Sequence, residues 1–388
     1  MNNYIESWDD ILALVRDDKS INFTALAVTP WNALSIDALL LYLSHKGIII
    51  KAVIVIAEHY SAGYMIDPSF FMNKCSEYYY YPAKDQKKSW GLSKADSKEK
   101  TFGALYEILS FYRLVFFPQP YNSDTLYYST FDHSIPDVSL LQKLKGVNRK
   151  IILCYTEEGV GEYMGTYNKT YKKWHDVKSL SEYHDYIRNV FFGQIIYKLL
   201  HKSYNSLTLK HRFNNLNVNK DIIPFYKEIF KYRLKNTSPV IDKKTITNSI
   251  IICTTAWKRE LIKNNEDLIV LSKVCDYLWK KGIHLLLKTH PRDSFFETTS
   301  KDLHCERLNV PGLSIESLCE FAKPKAIISF SSTTLINPNI FWDIPTYCLT
   351  EMLNRANIDD FYLEEVDAFK RTFTNFVTFV KTPEEIVF

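Results

Sequence analysis

Apolar and polar residues follow the same repeating pattern in both halves of the chain. Residues 23–28 and 48–57 are apolar enough to be buried strands, and residues 33–46 between them have the apolar spacing of a helix. Gly47 then stands where a helix C-terminus favours glycine. A strand, a helix and a second strand in this order predict the start of a doubly wound parallel sheet.

The second half of the chain repeats this plan. Residues 249–253 and 283–287 are predicted strands, and a helix is predicted between them at about 266–281, ending before Gly282. Further strands are predicted at 114–117, 126–128, 150–155, 326–328 and 345–349, and further helices at 8–17, near 142–144 and at 316–322. The pattern indicates an α/β protein with two similar halves and a cleft between them.

The length of the chain also favours two domains. A single hydrophobic core seldom grows beyond about 250–300 residues, and this chain has 388. Residues 236–239 (Asn-Thr-Ser-Pro) form a run of turn-forming residues between the two halves. We therefore predict one domain at 1–238 and a second at 239–388, both Rossmann-like.

Composition and charge exclude several classes of protein. The net charge of +4 is too small to indicate a nucleic-acid partner. The seven cysteines are scattered without a CxxC pair, and the apolar neighbours of Cys154 and Cys253 predict buried thiols in a reducing compartment. No apolar run approaches the roughly 18 residues of a membrane span, and the first seven residues lack the form of a signal peptide. We expect a cytoplasmic protein without a transmembrane segment.

Basic residues are concentrated between positions 198 and 235, a stretch with nine Lys or Arg residues and only two acids, Asp221 and Glu228. A solvated face or a linker is the simplest interpretation of such a stretch. The alternative is attraction to an anionic acceptor, or peripheral contact with the inner face of the membrane.

Cationic side chains follow the predicted strand at 283–287. Lys288, His290 and Arg292 lie within five positions of each other, and Pro291 stiffens the turn. In an open α/β sheet, ligands bind beyond the carboxyl ends of the strands. Cationic donors at this place favour an anion, most simply a phosphate, although a surface loop with solvated charges is the alternative. Thr255, just beyond the strand at 249–253, is a further candidate for the same donor-binding group.

Hydroxyl residues follow the predicted strand at 326–328. Ser331, Ser332 and Thr333 stand where the strand should turn into a helix, and hydroxyls beside free N–H groups suit a phosphate. Helix N-caps favour Ser and Thr whether or not a ligand binds. Because His290 follows another strand of the same predicted sheet, the two features together favour a nucleotide-linked donor.

Paired carboxylates follow the predicted strand at 150–155. Glu157 and Glu158 would lie at the mouth of the sheet, and Gly159 allows a sharp turn there. A carboxylate in a cleft of low dielectric has a raised pKa, which suits a general base acting on a sugar hydroxyl. Adjacent strand residues point opposite ways, so we favour Glu158 as the base, with Glu157 as support. A solvated pair of loop acids is the alternative.

Motifs of other chemistries do not occur in the sequence. There is no DxD, no HExxH and no Cys/His cluster with metal-ligand spacing. There is also no GxGxxG and no GxxxxGK[ST], which sets aside dinucleotide binding and P-loop phosphoryl transfer. We expect neither a metal nor another cofactor.

Taken together, the motifs resemble those of bacterial sialyltransferases and polysialyltransferases. Acid-acid-Gly at 157–159, His-Pro at 290–291 and Ser-Ser followed by Thr at 331–333 occur in the order used by that group. Thr29 and Pro30, followed two residues later by Asn32, resemble the Thr-Pro opening of the same group. The resemblance covers about residues 24–350.

This resemblance implies a metal-independent glycosyltransferase of the GT-B class, with two Rossmann-like domains facing each other across a cleft. The N-terminal domain would hold the acceptor and carry Glu158 as general base. The C-terminal domain would bind CMP-sialic acid, with His290, Ser331 and Ser332 on the donor phosphate. Transfer would invert the anomeric configuration, and the acceptor would be a glycan of a capsule or a lipopolysaccharide. The last residues are candidates for packing back on the N-terminal domain.

Two other interpretations remain open at this stage. A GT-B transferase could use a different cytidine donor, CMP-Kdo or CDP-glycerol, because such enzymes also carry His-Pro and Ser/Thr phosphate sites. A non-catalytic glycan-binding protein with a decayed site is the second alternative.

Overall fold

The computed structural model describes residues 4–5, 9, 12, 20–27, 30–57, 68–72, 77–81, 125–129, 151–156, 207–209, 213–214, 217–218, 220–237, 241–255, 259–290, 293, 295–296, 302–308, 310 and 313–388. The described residues divide into two compact units, the first up to Tyr226 and the second from Lys227 to Phe388. Each unit is built on a parallel sheet of its own.

The first unit contains a seven-stranded sheet. Its strands are β1 (Tyr4–Ile5), β2 (Ser20–Ala27), β3 (Ile49–Ala57), β4 (Glu77–Tyr81), β5 (Thr125–Ser129), β6 (Ile151–Thr156) and β7 (Leu207–Leu209). All pairs are parallel, in the order β1-β7-β6-β5-β2-β3-β4. Counted from β2, this is the Rossmann order 3-2-1-4-5-6, with β1 added at the far edge. A separate antiparallel pair joins β8 (Phe213–Asn214) to β9 (Asn217–Val218).

Helix α1 (Pro30–His45) connects β2 to β3 and is buried along almost its whole length. It is apolar on nearly every side, as expected of a helix enclosed by other elements. The hydroxyl of Tyr226 donates a hydrogen bond of 3.1 Å to Ser35 Oγ, and the Tyr226 ring stacks on Trp31 with centroids 5.5 Å apart. After the helix, Gly47 takes a positive φ of 78°, which costs glycine little because it has no Cβ.

The second unit contains a six-stranded sheet. Its strands are β10 (Ser249–Cys253), β11 (His284–Lys288), β12 (Glu306–Arg307), β13 (Ala326–Ser329), β14 (Thr346–Cys348) and β15 (Thr378–Phe379). All pairs are parallel, in the order β12-β11-β10-β13-β14-β15. This is again the Rossmann order 3-2-1-4-5-6. Both units therefore have the topology of a nucleotide-binding fold.

Six α-helices lie between residues 223 and 373 of the described part, and those at 266–280 and 360–373 contribute side chains to the buried core around the second sheet. The six helices are α2 (Ile223–Thr237), α3 (Lys243–Thr247), α4 (Glu266–Lys280), α5 (Ile315–Phe321), α6 (Thr333–Trp342) and α7 (Asp360–Phe373). The division between the units falls inside α2. Every residue of β10 is buried, as is β13, so these two strands form the middle of the core. Gly282, with a φ of +75°, ends α4 and leads directly into β11.

The structure confirms the predicted α/β class with Rossmann-like sheets, and most of the predicted elements. The strand at 249–253 is observed with the same bounds, and the strand predicted at 283–287 is observed one residue later. Cys253 is a buried free thiol, as predicted, and Cys275, Cys305, Cys319 and Cys348 are also free. The predicted strand at 114–117 and the helix near 142–144 lie outside the described residues.

Candidate active site at the carboxyl ends of the strands

The order of the second sheet reverses between β10 and β13, and this reversal fixes where a ligand would bind. Neighbouring strands at such a point send their connections to opposite faces, so a crevice opens beyond their carboxyl ends. The hydroxyl of Ser329, at the end of β13, donates a hydrogen bond of 2.8 Å to the backbone oxygen of Cys253, at the end of β10. This buried bond holds the two strand ends together at the base of the crevice.

His290 is held close to this crevice by its backbone. Its N–H donates a hydrogen bond of 2.9 Å to Thr254 Oγ1, and the N–H of Thr254 donates one of 3.2 Å to the backbone oxygen of Lys288. The residues that follow β10 therefore fix the path of the chain that follows β11. His290 itself is half-buried.

Asp293 closes the turn after His290. Its N–H donates a hydrogen bond of 2.9 Å to the backbone oxygen of His290, and its buried carboxylate accepts one of 3.2 Å from the N–H of Phe296. Burial raises the pKa of Asp293, although the hydrogen bonds and the charge of Arg259 partly offset this effect. Pro291 and Arg292 lie outside the described residues, so their predicted contacts with the donor remain predictions.

Lys288, the last residue of β11, is a half-buried cation. Burial lowers the pKa of its ammonium group, while the Cys253 thiol and the Glu316 carboxylate raise it. Among the residues that the structure describes, no carboxylate forms an ion pair with Lys288. Because Glu316 acts on Lys288 without pairing with it, an anionic ligand near the Lys288 ammonium would be favoured.

Each hydroxyl of the Ser/Thr cluster has a different set of contacts. Ser332 is the N-cap of α6, and its Oγ accepts hydrogen bonds from the Thr334 N–H at 3.3 Å and the Thr334 hydroxyl at 3.0 Å. Ser331 is buried, and its hydroxyl donates a hydrogen bond of 3.2 Å to Glu365 Oε1. Within the described residues, no group accepts the proton of the Ser332 hydroxyl and none bonds to the Thr333 hydroxyl, so both could serve a ligand at the start of α6.

Glu365, on α7, is a site residue that the sequence interpretation missed. Burial raises the pKa of its carboxyl group, and the hydrogen bond from Ser331 partly opposes this shift. The helical spacing of 360–373 shows a helix, but nothing in that segment links Glu365 to a serine 34 residues earlier. Only the packing of α7 beside the end of β13 brings the two groups together.

Thr255, which follows Thr254, has a buried hydroxyl oxygen for which the described residues provide no hydrogen-bond partner. A buried hydroxyl left in this state costs about 1–3 kcal/mol. The position just beyond the central strand would allow a bound nucleotide to provide the missing partner, as the sequence predicts for this residue.

The predicted acceptor side lies partly outside the described residues. Strand β6 ends at Thr156, so Glu157, Glu158 and Gly159 follow directly from its carboxyl end, but they lie outside the described residues, as does Thr29. Pro30 begins α1, and Asn32 is buried in its first turn. The roles predicted for these residues remain predictions.

The described part of the chain contains neither a metal-binding cluster nor a membrane-spanning helix. No group of three or more His, Cys, Asp or Glu side chains there could hold a metal ion. None of the helices in the same residues combines the length and the apolar character needed to cross a membrane.

Comparisons with solved structures find similar folds at low sequence identity. A 2,6-sialyltransferase from a Photobacterium species is 11% identical, with 92% of this chain and 78% of that chain covered and a TM-score of 0.46. An α-2,3-sialyltransferase from Photobacterium phosphoreum is 12% identical, with coverage of 93% and 98% and a TM-score of 0.42. A UDP-GlcNAc 2-epimerase from Neisseria meningitidis is 15% identical, with coverage of 94% and 95% and a TM-score of 0.44. At these values the likeness carries no argument about the reaction.

The sequence comparisons are more decisive. No curated protein matches the chain. A family model described as alpha-2,8-polysialyltransferase (POLYST) matches residues 82–351, which is more than half of the chain. The resemblance in the sequence motifs is thereby confirmed, and the chain belongs to the alpha-2,8-polysialyltransferase family of sialic acid-transferring glycosyltransferases.

Proposed function

We propose that the protein transfers sialic acid from CMP-sialic acid to a hydroxyl of a cell-surface glycan, in a capsule or a lipopolysaccharide, with inversion at the anomeric carbon. The donor phosphate would lie beyond the carboxyl ends of β10, β11 and β13, and the acceptor would be activated by Glu158. The GT-B arrangement, with the two units facing each other across a cleft, is part of the same proposal.

The observation that carries the donor side is the convergence of anion-binding groups at the reversal of the second sheet. The start of α6 offers backbone N–H groups and the positive end of the helix dipole. The Lys288 ammonium lies near the same strand ends, and the Thr254 hydroxyl fixes the backbone of His290 beside them. A phosphate there would also satisfy part of the charge that burial makes costly at Lys288.

The contacts of the hydroxyls suggest which of them can donate a hydrogen bond to the donor phosphate. Ser332 can donate its own proton to a phosphate oxygen while its Oγ continues to cap α6. Thr333, the first residue of α6, adds a second hydroxyl at the same helix start. Ser331 can join them only when its proton leaves Glu365, or when a protonated Glu365 donates to it instead.

The chemistry proposed for these groups is a direct displacement. Glu158 takes the proton of the acceptor hydroxyl as the oxygen attacks the anomeric carbon of sialic acid. The bond to the CMP phosphate breaks on the opposite face, through a transition state with oxocarbenium character. His290, Ser331 and Ser332 stabilise the charge that develops on the phosphate, which we take as the main electrostatic contribution to the rate. No metal is required in this scheme.

A donor screen tests the proposal. The protein would be incubated with CMP-sialic acid, CMP-Kdo or CDP-glycerol, together with sialyl and galactosyl acceptors and with EDTA present or absent. We expect turnover with CMP-sialic acid alone, unchanged by EDTA, and a sialylated product by mass spectrometry. Replacing Glu158 by Gln should reduce kcat by about 10²–10⁴-fold.

Several outcomes would contradict this assignment. Turnover of only CDP-glycerol or CMP-Kdo would overturn the choice of donor, and loss of activity in EDTA would overturn metal independence. Full activity of the Glu158→Gln variant would remove Glu158 as the base. Glycan binding without turnover of any donor would favour a binding protein. The proposal also includes a cytoplasmic location, supported by the free cysteines of the described part.

A further inference from the structure

A second site of ordered polar groups lies at the opposite end of the same sheet. His284 begins β11 and Glu306 begins β12, so both stand at the amino ends of their strands. Lys288 ends β11 four residues later, which places the two ends about 13 Å apart at roughly 3.3 Å per residue. A surface cavity of about 280 Å³ opens here, and its lining includes the apolar residues Ile283, Leu285 and Cys305.

Trp279, on the last turn of α4, forms one wall of this cavity and is 54% exposed. The ring of His304 stacks on one face of the indole, with centroids 4.4 Å apart and an angle of 12° between the planes. Most large apolar side chains of the described part are buried in the core. Trp279 is one of six large apolar side chains that are exposed in the described part, and of these six it alone lines this cavity, where its indole can offer a ligand an aromatic surface.

Polar side chains hold this aromatic wall in a fixed orientation. His304 Nδ1 and Asp276 Oδ1 are 2.6 Å apart, and His284 Nε2 and Glu306 Oε2 are 3.1 Å apart. His284 Nδ1 also lies 2.6 Å from Ser249 Oγ. The second oxygen of Glu306 has no hydrogen-bond partner in the described part of the chain, and it is therefore available at the edge of the cavity.

From this arrangement we infer a secondary carbohydrate site at the amino end of the second sheet, distinct from the donor crevice. The C–H face of a sugar ring can stack on Trp279, while its hydroxyls donate to Glu306 and exchange hydrogen bonds with the histidines. An apolar lining with a few ordered polar groups is the usual composition of a small-ligand site.

The charges at the cavity indicate which sugars it accepts. Glu306 contributes a carboxylate to the lining, and among the described residues neither lysine nor arginine lines the cavity. An anionic sugar would therefore meet the Glu306 carboxylate directly, whereas Arg307, whose charge acts on the Cys305 thiol, does not line the cavity. The site favours a neutral sugar, such as a hexose of the acceptor glycan, over a sialic acid unit.

Lactose binding tests this inference directly. Binding would be measured by calorimetry without a donor, for the native protein and for the Trp279→Ala and Glu306→Gln variants. We expect lactose to bind the native protein, with Kd raised about tenfold or more by Trp279→Ala and a few-fold by Glu306→Gln. Phe361→Ala is the matched control, because Phe361 is exposed to a similar extent, at 50%, on α7.

The remaining outcomes each decide the question. Absence of lactose binding to the native protein overturns the inference, as does a Kd that Trp279→Ala leaves unchanged. An α2,8-linked sialyl trimer that binds through Trp279 as well as lactose does would overturn the preference for neutral sugars. Because no donor is present and Glu158 is untouched, these results do not depend on whether the proposed transfer reaction is correct.

Discussion

The two ends of the second sheet differ in how they use similar polar residues. At the carboxyl end, Thr254, Ser329 and Ser332 are engaged with the backbone, and a half-buried lysine lacks a carboxylate partner in the described part of the chain. At the amino end, exposed His–carboxylate pairs surround a tryptophan. One end therefore favours an anion, and the other favours a neutral ligand with hydroxyl groups.

This difference follows from the direction of the strands. In a parallel sheet, the helices that follow the strands begin at the carboxyl end and present N–H groups there. The helices end at the amino side, and α4 ends there with Lys280 and the exposed Trp279 in its last turn. The direction of the strands therefore decides which end of the sheet carries helix N–H groups, and the side chains at each end add to this difference.

The largest effect is expected at His290. Replacing it by Ala should reduce kcat for CMP-sialic acid by about 10²–10³-fold, because a group that stabilises charge in the transition state is lost. His45→Ala, at an exposed histidine at the end of α1, should change kcat less than about threefold. Steady-state rates of CMP release would measure both variants, and equal rates for them would remove His290 from the proposed donor site.

Lys288 offers a test of the anion-binding end that affects binding more than the rate. We expect Lys288→Met to raise KM for the donor by about ten- to a hundredfold, because a charge-assisted contact to the phosphate is removed. Lys325→Met, at the amino end of β13, is the matched control and should leave KM within about twofold.

The pH dependence of KM gives an independent view of Lys288. Its pKa is lowered by burial, so its charge is lost as the pH rises through that lowered value, earlier than for an exposed lysine. Donor affinity of the native protein should therefore decline on the alkaline side, and Lys288→Met should remove this decline. A decline of the same size in the variant would assign it to another group.

Glu365 provides the smallest expected effect, of about 1 kcal/mol in the free energy of unfolding. Because its pKa is raised in the folded state, its contribution to stability is complete below the unfolded pKa and is lost as the pH rises through the folded pKa. Glu365→Gln should therefore gain stability relative to the native protein between pH 5 and pH 8. Urea unfolding at both values would measure this change, and Glu364→Gln, on the exposed side of the same helix, should show no such trend.

Much of the fold was predictable because its central elements are apolar runs with clear ends. Strand β10 and helix α4 were predicted almost residue for residue, since each is bounded by turn-forming residues or glycine. Strand β4 was missed, because its sequence of Glu and four Tyr shows neither an apolar run nor alternation. Helix α7 was not predicted, although its sequence has the apolar spacing of a helix, with Tyr362, Val366 and Phe369 on the buried side.

The site was predictable only as a set of short motifs after strands. The sequence indicated that His290 and Ser332 follow adjacent strand ends of one sheet; the sheet is confirmed, but β10 lies between β11 and β13, so the two strands are not neighbours. The sequence could not predict that Thr254 accepts a hydrogen bond from the His290 N–H, or that Glu365 accepts one from Ser331. Each of these bonds joins residues more than thirty positions apart. Such contacts depend on how elements pack, which local patterns do not encode.

The bond between Ser329 and Cys253 also bears on how the second unit folds. It joins residues 76 positions apart, so the centre of the sheet forms only when a long loop has closed. The sheet consists of two groups of three strands, the earlier ones in the chain (β10, β11 and β12) and the later ones (β13, β14 and β15). The two groups meet at the seam between β10 and β13, where this bond lies. A nucleotide bound across the seam would oppose its opening, by about 2.7 kcal/mol at a concentration of 100 times Kd. In a cell rich in donor, substrate supply would then help to set how long the enzyme survives unfolding and proteolysis.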